Sequence, residues 1–85
     1  MLSIQDCLDY CDLTDEEVAL LAHHEHLPYP TAIQLACGLV QTDEGTQTMC
    51  CILKDCVCEA EISGERAAKA TARHALKQFA QAHHA

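Results

Sequence analysis

Leu13-Thr14-Asp15-Glu16-Glu17-Val18-Ala19-Leu20-Leu21-Ala22-His23-His24-Glu25-His26-Leu27-Pro28 is the stretch that decides the fold class. Thr14 is an N-cap residue and Glu17 stands three positions on, so the two can satisfy each other's backbone N–H groups as a capping box. Asp15, Glu16 and Glu17 put negative charge at the positive end of the helix dipole. Val18, Leu21 and Ala22 then fall on one face at helical spacing. The helix should run to about His26, because the residue before a proline avoids helical dihedrals and Pro28 follows closely.

The same grammar extends in both directions. Ser3 and Asp6 form a weaker capping box that opens a short first helix ending near Tyr10. Pro30 suits the first turn of a third helix running to about Gln41, with Ile33, Ala36, Cys37 and Val40 on one face. Thr42-Asp43-Glu44-Gly45 reads as a turn and a new N-terminus. A fourth helix to about Glu61 gathers Met49, Leu53, Cys56, Val57 and Ala60. Ser63-Gly64-Glu65 breaks it and caps a fifth, whose face is Ala68, Ala72, Ala75, Leu76 and Phe79. Between Met49 and Cys58 only Ile52 and Val57 are β-branched, so that segment reads as helix rather than strand. The expectation is an all-α protein, a compact bundle of four to five short helices, with residues 1–85 as a single helical domain.

Composition narrows the function. A chain of 85 residues buries only about 60–65% of its unfolded surface, so its core is thin. Such a core favours a homo-oligomer or a protein partner. Thirteen acidic against five basic residues give a net charge of −8, which repels phosphate backbones and anionic lipid, so neither nucleic acid nor membrane is expected as a partner. Arg66, Lys69, Arg73 and Lys77 form one stripe on the fifth helix, which reads as a solvated face. No apolar run approaches the ~20 residues that span a bilayer. Met-Leu-Ser-Ile-Gln-Asp-Cys lacks the basic and apolar regions of a signal peptide. A cytoplasmic protein is therefore expected, in which the seven cysteines are thiols; their odd number also forbids complete internal pairing.

Cysteine and histidine are the residues in excess. Cys7 and Cys11 stand at i, i+4 and can chelate one soft ion. Cys37 and Cys56 lie within apolar faces and read as small core fillers. Cys50 is at the edge of the fourth helix's apolar arc, while Cys51 and Cys58 fall on its polar side. His23 and His26 are at i, i+3 near a helix C-terminus, and His83-His84 lie at the end of the sequence. Glu25 projects onto the face of Val18, Leu21 and Ala22 and is a candidate buried carboxylate. Thiolates select soft metals. With no Cys-x-x-Cys pair the usual zinc and iron–sulfur spacings are absent. Cu(I), which accepts two or three thiolates in loose geometry, is the favoured ligand and Zn(II) the second. The candidate metal ligands are Cys50, Cys51, Cys58, Cys7, Cys11, His23 and His26.

An enzyme is not expected. The three glycines form no phosphate loop, His-Glu-x-x-His is absent, and a thiol redox role lacks the Cys-x-x-Cys pair that lowers a thiol pKa. The alternative to metal binding is a non-catalytic helical interaction module. The segments Leu13 to Val18 and His24 to Pro28 resemble small all-helical bacterial proteins of no known activity, with a capped Leu-Thr-x-Glu-Glu helix ending in Glu-His-x-Pro. That resemblance covers about half the chain and implies a helical domain, without an activity. The scattered cysteines also resemble those of helical bundles that store Cu(I), although such bundles carry them more densely.

Overall fold

The computed structural model describes residues 3–83, and all regular structure among them is helical: α1 (Ile4–Tyr10), α2 (Asp15–Glu25), α3 (Tyr29–Leu39), α4 (Asp43–Ser63) and α5 (Arg66–His83). The all-α reading holds. His84 lies outside the described residues.

Each boundary has a local cause. The Ser3 hydroxyl accepts the Asp6 N–H while the Asp6 carboxylate accepts the Ser3 N–H, closing the first box. Thr14 and Glu17 close the second in the same way, at 3.2 and 2.9 Å. α2 ends one residue early, because His26 turns left-handed (φ 56°) as its C-cap. α3 starts at Tyr29 and ends at Leu39, two residues short of the end the pattern suggests. Thr42 to Gly45 is a correction to the sequence reading. Thr42 is itself the N-cap, accepting the Gly45 N–H at 3.0 Å, and Asp43, Glu44 and Gly45 are already helix. α4 also continues two residues further, to Ser63, before Gly64 ends it in a left-handed C-cap (φ 77°).

Gly45 is where two helices meet most closely. A Cβ there would fall on the Leu39 carbonyl group, so the end of α3 can rest against the start of α4 only over a glycine. α4 and α5 form the long antiparallel pair, α2 packs on α3, α4 and α5, and α1 lies against α3. One core joins all five: Leu8 from α1, Val18 and Leu21 from α2, Ile33 and Ala36 from α3, Met49, Cys50 and Leu53 from α4, and Phe79 from α5. Ala72 and Ala75 are buried beside Phe79 on the α5 face that the spacing marked, and these small side chains admit α4 closely. No described helix is long and apolar enough to cross a membrane.

Candidate functional site

Three cysteines lie on the two elements that pack together at the α1–α3 crossing. Cys7 is half-buried on α1, and Cys11 is buried at its C-cap. The Cys11 N–H donates to the Cys7 carbonyl oxygen at 3.1 Å, so the i, i+4 relation survives although regular helix ends at Tyr10. Cys37, half-buried on α3, faces both. Its thiol lies 3.9 Å from the Cys7 carbonyl oxygen, to which it donates. Leu8 and Leu13, both buried, flank the seam.

The electrostatics of this seam keep Cys37 protonated. Burial is the main cause that pushes its thiol well above the ordinary range; the hydrogen bond and then the charge of Cys11, and finally the charge of Cys7, act in the same direction. A thiol held neutral is a poor nucleophile, so Cys37 is ill suited to thiol exchange.

The other expected ligands are dispersed. Cys50 is buried in the core, while Cys51 and Cys58 are exposed on the opposite side of the same helix, as their helical phase required. His23 is exposed, and His26 is exposed at the left-handed end of α2. His24, between them, reaches Glu25 at 2.7 Å and Asp55 at 3.6 Å. Among the described residues no group of three or more His, Cys, Asp or Glu side chains is already disposed to hold a metal ion. Cys37, read from its apolar spacing as a core filler, is half-buried and packs against the core, with its thiol toward the Cys7 carbonyl oxygen.

Cys56 behaves differently. It is buried, donates toward the Leu20 carbonyl oxygen at 3.9 Å, and is pushed up to about 11 by burial first, then by Glu59 and Asp55. It floors a groove of about 340 Å³ between α2, α4 and α5, with Leu20, Ala68 and Ala72 as apolar walls and His23, Glu59 and Glu65 among its lining.

The buried carboxylate is Glu17, only 1% exposed, rather than Glu25, which is exposed. Burial raises its pKa above the ordinary carboxylate value, opposed by the hydrogen bonds from Thr14 and the nearby His83. His83 stacks on Phe79 with ring centres 4.4 Å apart, and its Nε2 lies 3.0 Å from the Asp12 carbonyl oxygen. In the basic stripe, Lys69 pairs with Glu61 at 3.7 Å. No protein-family model, curated protein or solved structure matches this chain.

Proposed function

We propose that this is a thiolate protein for a soft metal ion, Cu(I) in preference, with Cys7, Cys11 and Cys37 as its ligands. The observation that supports this reading is the approach of the Cys37 thiol to the Cys7 carbonyl oxygen, 3.9 Å across the α1–α3 crossing, with Cys11 buried at the C-cap of the same short helix. Three sulfurs suit Cu(I), which is content with two or three thiolates. A structural Zn(II) site calls for four ligands, and no fourth donor has been identified at this seam. Cys51, Cys58, His23 and His26 stand apart from it, and Cys50 serves the core. Such a site requires reduced thiols and hence a reducing compartment, consistent with a cytoplasmic protein.

The test is anaerobic purification followed by elemental analysis and Cu(I) titration against a competing chelator. One tightly held Cu(I) per chain is expected, lost in Cys7→Ser, Cys11→Ser and Cys37→Ser and retained in Cys51→Ser and Cys58→Ser. Protein that ignores Cu(I) under competition would remove the proposal.

A second reading, a helical interaction module, is favoured by exposed apolar side chains. Ile62 is 87% and Tyr10 82% exposed, and contact with a second copy or a partner would cover them. Sedimentation under reducing conditions tests it: a dimer or larger species supports this reading, and a monomer at micromolar concentration with no captured partner removes it.

A further inference from the structure

Ile62 is the most exposed large apolar side chain among the described residues, standing in the last turn of α4. The backbone that carries it is fixed. Gly64 ends the helix in a left-handed cap whose N–H donates to the Ala60 carbonyl oxygen at 3.0 Å, and the Ser63 hydroxyl donates to the same oxygen at 3.0 Å. An aliphatic side chain on a backbone held in this way loses little freedom when a partner covers it.

Beside Ile62 lies the groove between α2, α4 and α5. Glu59, one turn back on α4, and Ser63, the next residue, both line it. Its volume of about 340 Å³ and its walls of Leu20, Ala68 and Ala72 suit an aliphatic side chain. Knob and hole are therefore neighbours on one surface. A two-fold axis satisfies that arrangement, because each copy's knob then meets the other copy's hole. Charge selects the same place. With a net charge of −8 on each copy, a face that joins two copies must set positive groups against negative ones. Glu59 and Glu65 rim the groove, while Arg66, exposed at the start of α5, stands four positions beyond Ile62.

We infer that two copies of this chain pair about a two-fold axis beside the α4–α5 turn, with Ile62 of each seated in the other's groove and Arg66 of each against the other's Glu59. The inference rests on the interaction-module reading given above and names its surface.

Sedimentation equilibrium of the full chain tests this, under reducing conditions so that the exposed Cys51 and Cys58 do not join copies covalently. The wild type should be a dimer at micromolar concentration. Ile62→Ser should raise the dimer Kd about tenfold or more, since each dimer loses two buried aliphatic side chains, with helix content by circular dichroism unchanged. Glu59→Arg and Arg66→Glu should each weaken pairing, and the double variant should recover most of it, because the exchanged charges face each other again. A wild-type dimer that none of these variants weakens would overturn this surface and leave the interaction-module reading standing. Weakening by both single charge variants without recovery in the double one would overturn the pairing of Arg66 with Glu59, and with it the two-fold arrangement. A wild-type chain that stays monomeric up to millimolar concentration would overturn the inference and confine the module reading to a different protein as partner.

Discussion

The Cys37 thiol donates to the carbonyl oxygen of Cys7 across the α1–α3 crossing, 3.9 Å away and thirty residues back in sequence. This contact sets α3's only cysteine against the backbone of the N-terminal helix, whose C-cap is the buried Cys11.

Metal affinity should depend on pH with a definite sign. Because the Cys37 pKa is raised in the metal-free protein, the ion must displace a proton that is held tightly at neutral pH. Cu(I) affinity therefore climbs as pH rises from neutral toward alkaline values, with proton release on binding. Competition titrations over that range check the slope, and a flat profile would exclude Cys37 as a ligand. Loss of one thiol, as in Cys37→Ser, should cost about 100-fold or more in affinity, beyond the 10–100-fold typical of an outer-shell partner.

Thiol reactivity should sort by exposure. Cys51 and Cys58 are exposed, whereas Cys56 is buried with its pKa pushed up to about 11. Limited alkylation of the native protein should mark Cys51 and Cys58 first, and Cys56 only on unfolding. Peptide mapping gives the order, and early modification of Cys56 would mean that its groove opens readily.

Glu17 should govern a pH dependence of stability. Its folded pKa lies above the ordinary value of 4.5, so the folded state binds this proton more tightly than the unfolded chain. The stabilisation from that proton is complete below the unfolded pKa and is lost as pH rises through the folded value. Glu17→Gln keeps an acceptor for the Thr14 N–H and removes the buried charge. The variant should match or exceed the wild type at neutral pH, and its advantage should shrink toward acid pH. Melting curves in a pH series measure the difference; an unchanged gap would show that the carboxylate titrates normally.

Two glycines in helices should respond oppositely to alanine. Gly38 has open space where a Cβ would stand, so Gly38→Ala should stabilise by roughly 0.5–1 kcal/mol through lower chain entropy. At Gly45 the added Cβ meets the Leu39 backbone, so Gly45→Ala should cost on the order of 2–3 kcal/mol by forcing α3 and α4 apart. Urea unfolding of both variants decides it.

The second helix's cap should be worth what isolated caps are worth. Thr14 accepts the Glu17 N–H at 3.2 Å, and Thr14→Ala should cost about 1 kcal/mol. A denaturation midpoint indistinguishable from wild type would contradict that role.

The sequence by itself determined the five helices, both capping boxes, the solvent placement of Cys51 and Cys58 and the small-residue face of α5. Each of these rests on interactions between residues three or four apart, which spacing displays directly. Tertiary structure alone decided that the Cys37 thiol meets the Cys7 carbonyl oxygen, that Glu17 rather than Glu25 is the buried carboxylate, and that His83 reaches the Asp12 carbonyl oxygen seventy-one residues away. Those outcomes depend on how whole helices cross. An apolar position occupied by cysteine has the same periodicity whether its neighbour is a leucine side chain or a backbone oxygen, and only the crossing of α1 over α3 distinguishes the two.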